Sequence, residues 1–592
     1  MTWTTPGTVY LTRLTVSAFI PCACVIFAVI RLSAFAGLGL PLWFVFALLG
    51  VAVPLGFSIH IAFGEAVKRH KAASMGARMI PRVQGKWPGN LDVLIGVIGK
   101  IEQRYFGQII NSWVKDLGPT LNVWFLWEDT IVTTEPNHIK TILAIDFHNY
   151  VKGEKFQGAA SSVLGTGVFN SDGATWKHHR TMTRPFFNHD KISHFDIFDR
   201  HAEQAINLMK DRFRSDIAID FQDLISRFTL DSATEFLCGH NVHTLSAGIP
   251  YPYNVRKPEC VSDSTSSAEV FARAFAQAQL RIFKRNIIGK TWPFLEIFKD
   301  KTAEPMNVVN RFLEPIIGAA IEKHKQSEKM GMKDGFADEE TLLDHLVRFT
   351  TVLKDETLNI LIAGRDTMAS ALTSAIYLLA THPKVLGRLR EEIMTKVGPM
   401  RRPTYDDIRE MKYLRAVLNE TLRVFPPVPL NVRKSINDTT WSSPDPEAKP
   451  LFVPAKTTVA YSVLLMHRRV DLWGPDAQEF DPDRFIDERL HKYLTKNPLI
   501  FLPFNAGPRI CLGQQCLDSI LQFAYNEMSF MLIRLLQNFT SITLAPDAQD
   551  PATHPPPEWA KEEGRQAYEK FIPRAHLTLY SKGGMWVRME QA

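Results

Sequence analysis

Apolar positions are densest near the start of the chain. Leu14–Ile30 runs 17 residues without a charge, and after Arg31 the stretch Leu32–Gly64 runs 33 residues with no Asp, Glu, Lys or Arg. A helix needs about 20 apolar residues to cross a bilayer. The second stretch clears that length, best placed at Leu42–Phe63, and the first is borderline. A buried core helix is a poor account of so long a run. A signal peptide with Thr15–Ile30 as its apolar region is a poor account of a chain with a second apolar stretch behind it. Lys68, Arg69, His70, Lys71, Arg78, Arg82 and Lys86 follow, and such charge marks the cytosolic flank of a span. The pattern predicts a membrane anchor of one or two spans over residues 1–75 and a cytosolic domain over 76–592.

From about Met79 the pattern is that of a globular domain. Val123–Thr133 is rich in aromatic and β-branched residues and predicts strands. Glu135–Ile145 predicts a short helix, and Gly165–Gly173 a glycine-punctuated loop. Residues 240–300 carry the least pattern, and Lys323–Glu340 reads as a charged, solvated connection. Asp355–Ala380 is a long helical pattern. Tyr413–Val424 is another, ended by Phe425-Pro426-Pro427-Val428-Pro429 because proline cannot continue a helix. Phe452-Val453-Pro454 through Met466-His467-Arg468 reads as strand then helix, and Leu512 to about Leu536 as helix. The sum is a mainly α domain with a small β region.

Composition narrows the class. The net charge of +6 has no dense Lys/Arg block behind it, which argues against nucleic acid and for a membrane surface or an acidic protein partner. Six cysteines in 592 residues do not make a disulfide scaffold. No internal repeat or Gly/Ser/Pro-rich linker divides the chain, so one large catalytic domain is expected. Gly289-Lys290-Thr291 has the end of a phosphate loop, but Lys284 stands where its first glycine is required.

The candidate chemistry centres on Phe504-Asn505-Ala506-Gly507-Pro508-Arg509-Ile510-Cys511-Leu512-Gly513. Two glycines and a proline make a tight loop. Cys511 stands where that loop meets a helix N-terminus, a position that favours a thiolate able to ligate metal. A lone cysteine is most often a small buried hydrophobe. A zinc site would pair Cys511 with Cys516, but Cys22, Cys24, Cys238 and Cys260 are not at metal spacing from them. Three further groups stand out. Trp176 and Arg180 share a helix face at i, i+4. Gly364 and Thr367 interrupt a helix interior beside Asp366, and the threonine can bond back to the carbonyl of Ala363. Glu420 and Arg423 are spaced i, i+3. Taken singly, these read as an aromatic–cation pair, a tolerated helix irregularity and a surface ion pair.

Together they resemble the cytochrome P-450 haem-thiolate monooxygenases. Phe504, Gly507, Arg509, Cys511 and Gly513 match that family's haem-binding loop, and the other landmarks follow in family order from Trp176 to the C-terminus. The resemblance implies that Cys511 is the axial ligand of haem b, with Phe504 packed near the sulfur. It implies that Gly507 turns the loop, Gly513 lets the helix approach the ring, and Trp176, Arg180, Arg433 and Arg509 meet the propionates. Arg184-Pro185-Phe186-Phe187 continues the match. Asp366 and Thr367 become the acid–alcohol pair that supplies protons during dioxygen activation. Glu420, Arg423 and Arg484 of Pro482-Asp483-Arg484-Phe485 become the triad that holds the backbone before the loop. Ala363, Met368, Val428, Leu430 and Val432 become pocket walls. Implied partners are an NADPH-dependent cytochrome P-450 reductase, with cytochrome b5 as a further candidate, at the endoplasmic reticulum membrane with the domain facing the cytosol. Gly364-Arg365-Asp366-Thr367, the loop with Gln514-Gln515, and the two-span anchor look most like fungal alkane- and fatty-acid-hydroxylating members. That implies oxidation of a long apolar chain at or near its terminal carbon. Aromatic, xenobiotic or secondary-metabolite substrates are the alternative; an oxygen-independent isomerase or dehydratase and a non-catalytic haem carrier or sensor stand further off. Two departures are visible. Met368 stands where those relatives have a second threonine. Cys516–Gln522 separates Gln515 from Phe523, a seven-residue insertion close to two helical turns that would replace the usual packing, loop out, or derive from a splice boundary.

Overall fold

In a computed structural model, described over residues 5–37, 41–100, 104–184, 195–255, 267–329, 341–349, 352–511 and 523–592, the apolar N-terminal pattern folds as helix. Pro6–Leu14 (α1) starts at Thr5, whose hydroxyl caps Thr8, and a π-turn over Thr15–Phe19 joins it to Ile20–Phe35 (α2). Leu42–Ser74 (α3) is 33 residues, about 50 Å at 1.5 Å per residue, with Pro54 inside. Among the described residues α3 is the one helix long and apolar enough to cross a membrane. At 16 residues α2 is short of that length.

Both ends of this N-terminal unit touch the domain. Arg82 joins Glu65 at 2.6 Å, Lys71 joins Asp438 at 2.7 Å, and Lys68 joins Asp129. The Phe57 ring meets Trp127 edge-on at 4.9 Å. At the other end Gly7 presses on Ile297, where a Cβ would lie 2.4 Å from its Cα, and Tyr10 meets Phe294 at 5.0 Å.

The domain's main sheet is five-stranded. Thr120–Asn122 (β1) and Thr130–Thr133 (β2) form an antiparallel hairpin, and Tyr150–Val151 (β3), Asn431–Ser435 (β4) and Thr458–Tyr461 (β5) complete the order β1-β2-β5-β4-β3. Of the strands expected over Val123–Thr133, the one at Thr130–Thr133 is present, and the first part of the stretch is a turn. Trp124, Leu126 and Trp127 take positive φ and reverse the chain without a glycine or asparagine to announce it. The β5 strand pairs parallel with β2 and antiparallel with β4, where Val432 faces Ala460.

The helices that position the site are Gly153–Leu164 (α4), Gly173–Thr183 (α5), Phe221–Cys238 (α6), Ser267–Ile288 (α7), Ala303–Lys329 (α8), Leu353–Thr381 (α9), Lys412–Val424 (α10) and Phe523–Asn538 (α11). The α9 helix is buried along almost its whole length, with Leu372 and Ile376 packed among residues of α6, α10 and α11. Two expectations are corrected here. Residues 240–300 contain α7, whose Phe271, Phe275, Ala278 and Ile282 form a buried stripe at helical spacing. The charged stretch from Lys323 continues α8 as far as Lys329. Residues 330–340, Pro185–Phe187, Gly513 and the insertion Cys516–Gln522 lie outside the described residues, as does the start of the helix expected from Leu512.

Candidate functional site

Leu502, Phe504, Arg509 and Cys511 stand on the wall of a cavity of about 710 Å³. The loop is closed by its own backbone. Cys511 N–H donates to Phe504 O at 3.0 Å, and Ile510 N–H donates to Gly507 O at 3.0 Å. Gly507 has φ +67°, and a Cβ there would sit 1.9 Å from Leu143 O, so only glycine lets the loop lie against the turn Thr141–Ile145. Asn505, also left-handed at φ +63°, is held by Tyr461, whose hydroxyl donates to its Oδ1 at 2.9 Å. Phe504 packs 5.5 Å from the Tyr525 ring on α11.

Beside this loop the structure gathers cations with too few anions. Arg180 donates to Ile510 O at 2.6 Å, one residue before Cys511. Arg509 donates to Ser171 O at 2.9 Å and to Asp172 Oδ1 at 2.8 Å, while its buried Nε has no partner among the described residues. Arg433, 3 % exposed, donates to the carbonyl of Val432 at 2.8 Å. The guanidinium of Arg509 stacks 4.5 Å from the Trp176 ring, with that of Arg180 at 5.8 Å. Lys152, which the sequence reading did not single out, joins this group. Burial and the charges of Arg433 and Arg509 hold its ammonium well below the usual lysine range. Burial and Arg433 likewise lower Arg509 to about 10 although Asp172 opposes them. Burial lowers Arg180 as well.

The cavity's cationic lining is Arg104, Lys152, Lys155, Arg180, Lys290, Arg433, Lys434 and Arg509; Glu128 is the one carboxylate on the wall among the described residues.

The α9 helix supplies another side of the cavity. Ala363, Gly364, Thr367, Met368 and Ala371 line it, and Val428, Leu430 and Val432 line it from the segment after α10. The predicted back-bond is present, with Thr367 Oγ1 donating to Ala363 O at 2.6 Å. The helix nevertheless runs unbroken through this turn. Asp366 is not on the cavity wall. It is buried, with Gln279 Nε2 of α7 donating to one oxygen at 2.6 Å and Arg365 Nη1 to the other at 3.0 Å. The structure therefore brings Thr367 to the cavity and keeps its acidic neighbour apart from it.

A family model described as Cytochrome P450 matches residues 88–565. The chain belongs to the cytochrome P450 family of monooxygenases. Over 554 residues, 91% of this chain and 89% of the other, it is 33% identical to Cytochrome P450 monooxygenase himC of Aspergillus japonicus. It is 36% identical to Cytochrome P450 52-M1 of Starmerella bombicola over 70% of this chain and 76% of that one. With Cytochrome P450 52A6 of Candida tropicalis it shares 34% over 78% and 81%.

The residues present fit the P450 prosthetic group. Haem carries two carboxylates on one edge of its ring. Arg509 Nε, without a partner among the described residues, and the depressed Lys152 and Arg509 describe a buried cationic site that such a carboxylate pair would complement. Cys511 adds the soft sulfur donor on the same wall.

A separate network braces the loop. Glu420 and Arg423 are fully buried, with Arg423 Nε and Nη2 on the two carboxylate oxygens at 2.6 and 2.7 Å. Arg423 also donates to the carbonyls of His467, Ala477 and Glu479 at 2.8, 2.6 and 2.8 Å. Arg484 Nε comes within 3.5 Å of Glu420, and its other nitrogens hold Trp473 O and Asp476. His467, another residue not singled out, carries the brace to the loop. Its Nδ1–H donates to Arg423 O at 3.2 Å, and its Nε2 accepts the Leu502 N–H at 2.9 Å. Burial and Arg423 push its pKa down to about 3, which keeps Nε2 free to accept.

Proposed function

We propose that this P450 is a membrane-anchored enzyme that hydroxylates a long apolar substrate, a fatty acid or n-alkane, at or near the terminal carbon. The observation that carries the reading is the cavity itself. Its walls between Cys511 and the N-terminal helices are mostly apolar, and Tyr10 of α1 is among its lining residues. A substrate that concentrates in a bilayer would meet that wall first. The sequence resemblance to fungal alkane and fatty-acid hydroxylases supports the same class.

Haem bound at Cys511 supplies dioxygen activation and insertion of one oxygen atom into a C–H bond. The protein's own part is to hold and to shield. Cys511 provides the thiolate ligand, while Trp176, Arg180, Arg433, Arg509 and Lys152 hold the carboxylate edge. Ala363, Met368, Val428, Leu430 and Val432 exclude water and orient the chain. The Thr367 hydroxyl, on the cavity wall and bonded to Ala363 O, holds a proton for delivery there. Electrons come from NADPH through a cytochrome P-450 reductase, with cytochrome b5 as an accessory donor. Residues 1–75 anchor the domain on the cytosolic face of the endoplasmic reticulum.

Product analysis with microsomes, reductase and a panel of alkanes, fatty acids and aromatics tests the reading. Terminal or near-terminal alcohols are expected. Turnover of aromatic or compact polar compounds, with none of alkyl chains, would overturn it.

A further inference from the structure

The two carboxylates of haem do not balance the cavity's charge. Lys152, Arg180, Arg433 and Arg509 cluster around the Cys511 loop, but Lys155, Lys290 and Lys434 form a second group. Among the described residues the one carboxylate beside it on the cavity wall is Glu128, one oxygen of which meets Lys155 Nζ at 3.3 Å and the other Lys290 Nζ at 2.5 Å. Burial, with Lys290 and Lys434 nearby, holds the Lys155 ammonium below its ordinary value even with Glu128 beside it. Two ammonium groups thus share one carboxylate, with the charge of Lys434 acting on Lys155 besides.

This group lies where the cavity meets solvent and the N-terminal helices. The Lys290 and Glu128 side chains are 65% and 34% exposed, against 19% for Lys155, and all three line the cavity. Glu128 follows Trp127, the contact of α3, at 4.9 Å from Phe57. Lys290 belongs to the turn Gly289–Glu296, whose Phe294 meets Tyr10 of α1 at 5.0 Å. Apolar lining begins next to it, with Phe156 one residue after Lys155 and Ile287 and Ile288 just before Lys290.

We propose that Lys155 and Lys290 bind the carboxylate of a long-chain acid at the cavity mouth, with its alkyl chain running inward toward Thr367 and Cys511. The proposal rests on the alkyl-chain reading above and names which chain is preferred and which end enters first. An added carboxylate supplies the missing charge, and Glu128 competes with it for both lysines. An acid held by its head presents its far end to the reacting site, which accounts for oxidation near the terminal carbon. The terminal sequence Gly289-Lys290-Thr291 then serves an anion without being a phosphate loop.

The test is a titration of the haem-loaded full-length enzyme in nonionic detergent, following the substrate-induced Soret shift with hexadecanoate and with hexadecan-1-ol. Enzyme concentration is normalised by the ferrous carbon-monoxide spectrum. One charge-assisted contact corresponds to about tenfold in Kd, so the acid should bind about tenfold more tightly than the alcohol. Added salt should erode that preference. K155M/K290M should abolish it and E128Q should enlarge it. K290Q, at a side chain 65% exposed, should reduce it. Equal affinity for acid and alcohol in the unmodified enzyme, or a preference that survives K155M/K290M, would overturn the proposal. So would lysine-dependent binding to anionic vesicles with acid and alcohol bound alike, which would assign the lysines to lipid headgroups. Failure of the alkyl-chain reading looks different: neither chain shifts the spectrum, and the proposed occupant is removed with it.

Discussion

Replacing Glu420 by alanine should destabilise the loop that carries Cys511 without touching it. The carboxylate accepts Arg423 Nε and Nη2 at 2.6 and 2.7 Å and the Asp481 N–H at 3.0 Å, and it lies 3.5 Å from Arg484 Nε. Glu420 and Arg423 have no solvent exposure and Arg484 has 1%, so water cannot stand in for it. Removing one partner of a buried ion pair costs about 3–5 kcal/mol, because the other charge stays buried. Against a total stability of about 5–15 kcal/mol that is a large fraction. The melting point will understate it. At about 2.1 cal/mol/K of unfolding entropy per residue, a domain of some 500 residues shifts only about 1 °C per kcal/mol, so roughly 3–5 °C. Haem retention is the sharper readout. The damaged brace runs from Arg423 O through His467 to the Leu502 N–H, two residues before Phe504. Haem per polypeptide and the thiolate-type carbon-monoxide spectrum should therefore fall together in E420A. E420Q keeps an oxygen for Arg423 and should lose less. An E420A protein with full haem occupancy and a melting point within 1 °C of the unmodified enzyme, on the entropy scale just used, would refute the argument.

Cys511→Ala should remove the thiolate-type red-shifted Soret band of the ferrous carbon-monoxide complex, and its survival would mean a different ligand. Thr367→Ala removes the hydroxyl now bonded to Ala363 O. The coupled rate should drop by about 10²-fold, the low end for a positioned proton donor, with NADPH still consumed and peroxide released; unchanged product per NADPH would exclude the residue. Burial pushes the Cys238 thiol up to about 12, with Asp344 adding to the shift. At pH 8 about 10⁻⁴ of it is thiolate, a fraction that rises tenfold per pH unit. Iodoacetamide at pH 8 should leave Cys238 unlabelled in the folded enzyme and label it after denaturation, as read by peptide mass spectrometry.

What the sequence made legible was local. The Cys511 loop, the Trp176–Arg180 spacing, Glu420 with Arg423 and the back-bonding Thr367 each express their geometry within a few residues, and each is found with those contacts. Lys152 and His467 carry no such mark. Lys152 reaches the cationic cluster because its backbone N–H is held by Asp172, 20 residues on, at 2.8 Å, and His467 links helix to loop across 44 and 35 residues. Strands are expected near here, but the turn that joins β1 to β2 was hidden because it uses Trp124, Leu126 and Trp127 at positive φ in place of the usual turn formers. The α7 helix was hidden among Ala, Gln and Arg residues that dilute its apolar stripe.

The pairing of Asp366 with Thr367 shows where adjacency misleads. Successive helix residues point about 100° apart, and only i, i+3 and i, i+4 neighbours share a face. Ala363, Thr367 and Ala371 are spaced by four and all line the cavity. Asp366 belongs to the neighbouring face with Ser370 and Thr373, none of which lines the cavity, and it is 8% exposed. On that face it meets α7, where Gln279 takes one oxygen, and the charge of the other is compensated by Arg365. Held by these two donors, the Asp366 side chain makes no direct contact with the cavity. Of the pair, the Thr367 hydroxyl is the member on the cavity wall, while the Asp366 carboxylate ties α9 to α7 through Gln279.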